Sequence, residues 1–471
     1  MLENLLYKRS RINDGIALKY KDREITYSQL DVLSSGISRK LKNLLKRGDY
    51  IITFINNPID YCVFFFGCLK SETVMIPLNP QIERETYSNI KNVTRCKLVI
   101  DDFNDYGITF NNFSGNLDMH LNEMESNIHN PYNLDRQVLI LLTGGTTGTP
   151  KGAIIPERSI LWNSFNTILS WKISAGSTSL VSLPLYHTGG WNILLIPTLV
   201  AGGKCIFSGY PFNEDEIIEC IKEEKPTIYM GVPTMLEKIS LSKNFEMLDL
   251  RNITIVSGGG MLKSKTAEKF RGKGACIFQG YGLTEAGPNN FYIDPLKFIE
   301  KPRSVGTPCL FVDAKLGDDN ELLLRGPHIF NGYLWGNDES PIDNNGFLKT
   351  GDIFTRDDDG YYYFSGRKKE VIKSGGENIY ISEVENALLS LGYISDTSII
   401  GVPDDFWGEI EIAFVVISKS VTVDTVKKDL LKLLAPYKIP KKIIFMEKIP
   451  RSQLGKPLKK EMVKEYEKSL H

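Results

Sequence analysis

The chain has 471 residues, 42% of them hydrophobic, a composition of soluble globular proteins at a length that calls for two or more domains. Lys and Arg number 56 against 57 Asp and Glu, so no global field points to nucleic acid or to a membrane surface as partner. The seven cysteines, Cys62, Cys68, Cys96, Cys205, Cys220, Cys276 and Cys309, are odd in number and never spaced C-x-x-C, which argues against a disulfide framework and a zinc site and suits a reducing cytosol. Met1–Arg11 is charged from Glu3 onward and has no apolar core, so no secretory signal is expected and the localisation reads as cytoplasmic.

From residue 25 to about 310, apolar runs alternate with amphipathic stretches. Ile51–Ile55, Val74–Leu78, Leu98–Ile100, Val138–Leu142, Leu180–Leu183, Ile228–Met230, Ile253–Val256 and Ala275–Gln279 read as strands, with Tyr27–Leu45 and Asn213–Glu224 as helices between them. Such alternation predicts open parallel sheets covered on both faces. Ile173–Gly203 lacks Lys, Arg, Asp and Glu and is long enough to span a bilayer, but Gly176, Pro184, Gly189, Gly190 and Pro197 interrupt it; it reads as buried strand, loop and helix.

From about Ser304 the strands shorten. Glu321–Leu324, Ile353–Thr355 and Gly360–Phe364, the last two joined by the turn Asp357-Asp358-Asp359-Gly360, predict a small antiparallel barrel or sheet. After Arg367 the pattern becomes compact α+β. Ser382 with Glu385 reads as a capping box opening a helix to Leu391; strands near Thr397–Gly401 and Ile410–Ile417 follow, a helix runs to Leu434, and Lys442–Phe445 is a last strand. The fold class is α/β: a large N-terminal domain, residues 1–367, of doubly wound sheets with a small β-barrel, and a small α+β C-terminal domain, residues 368–471. Thr425–His471 holds 13 Lys/Arg against 5 Asp/Glu, read mostly as a solvated face, with a basic wall facing phosphates as the alternative.

The most chemically loaded stretch is Leu142-Thr143-Gly144-Gly145-Thr146-Thr147-Gly148-Thr149-Pro150-Lys151-Gly152. Glycines let backbone N–H groups wrap an anion, and the threonine hydroxyls and the lysine ammonium complete the cage. A Walker A loop needs lysine directly after glycine and before Ser or Thr, but Lys151 follows Pro150 and precedes Gly152, so a P-loop kinase or GTPase is excluded. No G-x-S-x-G elbow supports a serine hydrolase.

Further motifs stand downstream: Tyr281-Gly282-Leu283-Thr284-Glu285, Thr350-Gly351-Asp352, Ser365-Gly366-Arg367-Lys368-Lys369, Gly375-Gly376-Glu377-Asn378 and Gly455-Lys456. In this order, over essentially the whole chain, they resemble the signature of the adenylate-forming (AMP-binding) superfamily, in its acyl-CoA synthetase branch. Gly144 departs from the serine that many members carry, so a backbone N–H must serve there. The resemblance implies a carboxylate:CoA ligase that forms an acyl-adenylate from ATP, releases pyrophosphate and passes the acyl group to CoA, with Mg²⁺ as cofactor.

It also implies roles for particular residues. Thr143, Gly144, Gly145, Thr146, Thr147, Gly148 and Lys151 would hold the β- and γ-phosphates. Tyr281, after Gln279 and Gly280, would stack on adenine beside the flat backbone of Gly258, Gly259 and Gly260; Thr284 would reach the α-phosphate and Glu285 the metal. Asp352 would bind the ribose hydroxyls, with Arg367 near the same ribose or the phosphate. Lys456 would bind the carboxylate and bridging oxygen, and Lys373, Gly375 and Gly376 would flank the pantetheine arm after rotation about the hinge Lys369. His187, Gly190, Trp191, Gly280 and Ala286 would line the acyl site, and Gly-Gly-Trp with the small Ala286 suggests the medium- to long-chain fatty acyl branch. Alternatives are an acyl-AMP ligase loading a carrier protein and a non-catalytic acyl-adenylate-binding protein; retention of Lys456 and Glu285 argues against the latter. Luciferase-type oxygenation is remote, and a homodimer is left open.

Overall fold

The computed structural model describes residues 1–103, 106–115, 133–143, 150–209, 211–336, 340–450 and 457–469. By contacts the chain divides into two units: Met1–Ala314 with Leu324–Lys349, and Lys315–Leu323 with Thr350–His471.

Two largely parallel sheets build the first unit. The larger runs in the order Cys276–Gln279, Thr254–Ser257, Ile228–Gly231, Thr178–Val181, Lys204–Phe207, Ile16–Tyr20, Arg23–Thr26, parallel throughout except for the last pair. The other runs Leu98–Asp101, Tyr50–Phe54, Val74–Pro77, Gln137–Thr143, Lys151–Pro156, again with one antiparallel edge. The unbroken apolar runs of the sequence follow from this topology, because a strand covered on both faces has no polar side: Leu139, Ile140 and Leu141 are all fully buried. Helices begin where side chains satisfy their first amides. Thr26 and Gln29 form a capping box for Tyr27–Leu44, and Asn213 accepts from the amides of Asp215 and Glu216 to open Glu214–Glu224. The long uncharged stretch resolves into the strand Thr178–Val181, a π-helical turn Gly189–Leu195 and the helix Ile196–Ala201. Among the described residues no helix is long and apolar enough to cross a membrane.

The second unit is α+β. Its sheet runs Glu377–Tyr380, Val371–Ser374, Gly408–Ile417, Ile394–Asp404, and Lys442–Phe445 pairs parallel to Gly408–Ile417. Along Gly408–Ile417 the side chains alternate between two cores. Ala413 and Val415 pack with Val384, Leu388, Val426 and Leu430, while Ile412 and Phe414 pack with Ile400, Val402 and Met462.

Two readings need correction. Ser382 and Glu385 do not form a capping box: the helix Ile381–Ser390 starts two residues earlier than a Ser382 cap would set it, at a Tyr380 cap, and the Ser382 hydroxyl donates to Ser365 O at 2.6 Å while the Glu385 carboxylate accepts from Ile399 N at 3.0 Å. The helix expected to reach Leu434 ends at Leu430. By contacts Asp352 and Arg367 group with the C-terminal unit, where the strand Leu348–Arg356 pairs with Tyr362–Arg367 and Lys368 binds Glu321 at 2.9 Å.

Candidate active site

In the first unit, ligand-ready loops leave the carboxyl ends of neighbouring parallel strands, where open α/β sheets bind ligands. Ser257 stands in register with Gln279, and Gly280 N donates to Ser257 O at 2.9 Å, so the loops carrying Gly258–Gly260 and Gly280–Glu285 emerge side by side. Gly259 has φ of +77°, a conformation that L side chains rarely adopt, and Gly259 and Gly260 expose their backbone. Gln279, expected at the nucleotide, is buried and structural: it accepts from Leu262 N at 3.2 Å and donates to Ser304 O at 3.3 Å, anchoring the glycine loop. Tyr281 meets Phe291 edge to face, ring centroids 5.8 Å apart.

The Gly/Thr segment is entered and left at neighbouring points, because Thr143 and Lys151 are cross-strand partners. Gly144, Gly145, Thr146, Thr147 and Gly148 lie outside the described residues, as does Lys456. What joins the segment's flanks to the downstream motif is a residue that the sequence reading missed. Residues 331–334 pair with the strand Lys151–Pro156, through Ile154 N to Gly332 O at 2.9 Å and Leu334 N to Gly152 O at 2.8 Å. This sets the Tyr333 hydroxyl to donate to Glu285 Oε1 at 2.8 Å and to hydrogen-bond Thr143, with Lys151 Nζ 4.9 Å from the ring centroid. Burial, and then the Glu285 carboxylate, raise the Tyr333 hydroxyl far above its ordinary pKa, so it stays a donor. Trp335 completes the flank, its Nε1 donating to Pro150 O at 3.0 Å while its ring leaves no room for a side chain at Gly152. No local motif marks Tyr333, because its role depends on pairing with a strand some 180 residues earlier in the chain.

Glu285 and Thr284 occupy a single 3₁₀ turn, held by Phe330 N donating to Glu285 O at 2.9 Å. Among the described residues no group of three or more His, Cys, Asp and Glu side chains is gathered to hold a metal. Glu285 offers a single carboxylate, a donor that a hard cation accepts together with phosphate oxygens.

The acyl-side residues divide. His187 is half-buried, its ring 4.7 Å from that of Tyr186, in a turn closed by Gly190 N donating to His187 O at 3.1 Å. Gly190 is packing-critical, since a side chain there would meet Pro184 O at 2.3 Å. Trp191 and Ala286, expected to line an acyl site, have no accessible surface. Trp191 packs on Tyr61 and Phe65, centroids 5.6 and 4.7 Å away, and donates to Leu185 O.

In the second unit Asp352, buried, faces Arg367 directly across the hairpin, Nε to Oδ1 3.3 Å. Lys368 is held by Asp319 and Glu321, which raise its pKa, and Lys369 beside it is exposed. Lys373 lies on Val371–Ser374, joined to Glu377–Tyr380 by the two-residue turn Gly375–Gly376 with φ of +59° and +87°, as a type I′ hairpin demands. Gly375 N donates to Trp407 O at 2.8 Å, and a side chain at Gly375 would meet that ring.

The Gly/Thr/Lys motif of the sequence, together with loops that leave the carboxyl ends of parallel strands and carry Gly258–Gly260 and Glu285, marks a nucleotide-using α/β enzyme. Residues 8–334 match the AMP-binding enzyme family and residues 383–456 match the AMP-binding enzyme C-terminal domain. The chain belongs to the AMP-binding, adenylate-forming enzymes, in their acyl-CoA synthetase branch, and is an AMP-forming acid–thiol ligase. It is 34% identical to feruloyl-CoA synthase of an Amycolatopsis species over 347 residues, 70% of each chain, and 27% identical to the long-chain-fatty-acid–CoA ligase FadD13 of Mycobacterium tuberculosis over 480 residues, 94% of each. The solved structure of o-succinylbenzoate CoA synthetase from Bacillus subtilis, in complex with its acyl-adenylate intermediate, superposes with a TM-score of 0.84 at 25% identity, covering 98% of this chain and 97% of that one.

Proposed function

We propose that this ligase joins a hydrophobic carboxylic acid to CoA through two half-reactions. In the first, a carboxylate oxygen attacks the α-phosphorus of ATP, the bond to the bridging oxygen breaks, and pyrophosphate leaves. In the second, the CoA sulfur attacks the acyl carbon, AMP departs with the electron pair of the C–O bond, and the thiol proton goes to solvent. Both steps crowd negative charge, so catalysis rests on groups that neutralise it. Thr143, Thr146, Thr147 and Lys151, with the backbone of Gly144, Gly145 and Gly148, hold the terminal phosphates, Thr284 meets the α-phosphate, and Lys456 binds the reacting carboxylate. A divalent cation on Glu285 would supply further positive charge to the phosphate oxygens. Tyr281 and Gly258–Gly260 receive adenine, Asp352 and Arg367 the ribose, and Lys373, Gly375 and Gly376 the pantetheine arm, with Lys369 as hinge between residues 1–367 and 368–471.

The observation that carries this reading is the convergence of Thr143, Lys151 and Glu285 on Tyr333, which supports a site that joins the flanks of the Gly/Thr segment to the Glu285 carboxylate. The fatty acyl preference drawn from Trp191 and Ala286 loses its support, since neither has surface to offer a substrate. His187 and Gly280 remain as acyl-side residues, and chain and ring acids stand level on them. A pyrophosphate-release screen over aliphatic and aromatic acids, with and without CoA and with and without EDTA, tests the proposal. Acid-dependent pyrophosphate and AMP, lost on chelation, with thioester only when CoA is present, is the expected result. ADP and phosphate as products would overturn it, and transfer to a carrier protein but not to CoA would favour the carrier-loading alternative.

A further inference from the structure

Glu321, in the C-terminal unit, takes no part in the chemistry proposed above, yet its carboxylate is 7% exposed and both its oxygens are engaged. Oε1 accepts from Gly351 N at 2.9 Å, and Oε2 accepts from Lys368 Nζ at 2.9 Å. Lys368 N in turn donates to Gly351 O at 2.8 Å, so Glu321 and Lys368 together grip the N–H and the C=O of one glycine. Gly351 needs the grip: its φ is +71°, and beyond its chain neighbours no atom lies within 4 Å of where a side chain would begin, so side-chain packing does not hold its conformation. Thr350 is fixed beside it, its Oγ1 donating to Leu322 O at 2.7 Å and accepting from Asp352 N at 3.1 Å.

The next residue is Asp352, whose carboxylate meets Arg367 Nε at 3.3 Å. The Asp352 side chain keeps 7% of its surface and that of Arg367 52%, so the pair retains an accessible edge. Glu321, with one oxygen on a backbone amide and the other on an ammonium, is turned to the protein and acts through what it holds. Resting on the ribose role given to Asp352 above, we propose that Glu321 is a positioning residue: by fixing the peptide groups on both sides of Gly351 it holds Asp352 where that carboxylate accepts hydrogen bonds from both ribose hydroxyls. Without Glu321 the Gly351 N–H loses its acceptor, a glycine offers little resistance to a change of torsion, and Asp352 leaves the position in which the hydroxyls find it.

The test measures pyrophosphate release by the full-length chain with a saturating acid taken from the screen and two nucleotides, ATP and 2′,3′-dideoxy-ATP. With Asp352 on both hydroxyls, the wild type should use ATP about 10- to 150-fold better in kcat/KM. Glu321→Ala should lower kcat/KM for ATP by about 10-fold or more and change that for dideoxy-ATP by less than about 3-fold, so that the ratio collapses. General damage to the fold would instead slow both nucleotides alike. Should Glu321→Ala fail to fold, Glu321→Gln carries the measurement: it keeps an oxygen for Gly351 N, gives up the ion pair to Lys368, and should lower the ratio part of the way. A ratio that stays at the wild-type value in the folded variants, through no effect or through equal loss on both nucleotides, overturns the inference and leaves the ligase reading intact. Equal use of the two nucleotides by the wild type overturns the ribose role of Asp352 and the inference with it, and no pyrophosphate from any acid overturns the ligase reading as well.

Discussion

Replacing Tyr333 by Phe removes one oxygen and keeps the ring that faces Lys151 at 4.9 Å. Lost with the oxygen are the 2.8 Å hydrogen bond to the Glu285 carboxylate and the bond to Thr143. A hydrogen bond to a charged group contributes about 1.5–3 kcal/mol, so an orientation that matters in the transition state costs about 10- to 150-fold in kcat/KM for ATP. Because the ring still fills its place, the melting temperature should move little. The assay is pyrophosphate release against ATP at several Mg²⁺ concentrations, where the variant should need more metal. Raised by burial and by Glu285, the Tyr333 hydroxyl is protonated throughout the usual assay range, so the ratio of variant to wild type should be flat with pH. Unchanged ATP kinetics in a folded Tyr333→Phe protein would refute the claim that this tyrosine couples the loop flank to the carboxylate.

Three further outcomes are expected. Burial raises the Glu385 carboxyl to about 7 from its ordinary 4.5, with Glu370 adding to the shift and Ile399 N, Ser398 and Lys459 opposing it. A raised acid stabilises the fold below the unfolded value and loses that contribution as pH climbs through the folded one, so thermal stability should fall between about pH 4.5 and 7 by roughly 2–3 kcal/mol, and Glu385→Gln should flatten that slope in melts across the range. Trp191→Ala, in a fully buried site, should cost about 3–5 kcal/mol in urea unfolding while leaving ratios between acids unchanged; a shift in acid preference without loss of stability would return Trp191 to the substrate wall. If the C-terminal domain alternates between two orientations, Lys456→Ala should cut acyl-AMP formation by roughly 100-fold or more yet still convert supplied acyl-AMP and CoA to thioester, and Lys369→Pro should do the reverse, whereas equal loss of both steps in both variants would favour one fixed arrangement.

What the sequence by itself determined about this protein is what local chemistry can encode. Unbroken apolar runs such as Val138–Leu142 announced strands buried on both faces, the amphipathic run Asn213–Glu224 announced a helix, and the Gly/Thr/Lys stretch with its ordered companions announced a family and a reaction. Only the tertiary structure decided matters that depend on partners distant in the chain. Tyr333 is an unremarked residue until antiparallel pairing with Lys151–Pro156 sets it on Glu285. Ser382 and Glu385 had the spacing of a capping box, but a helix starting two residues earlier turned one to Ser365 and the other to Ile399. Trp191 and Ala286 sat in motif positions that promised an acyl wall, yet close packing drew both into the core. The physical reason is the same in each case: a residue type sets what a side chain can bond or bury, while the surroundings that satisfy it are assembled by long-range contacts that no short window of sequence contains.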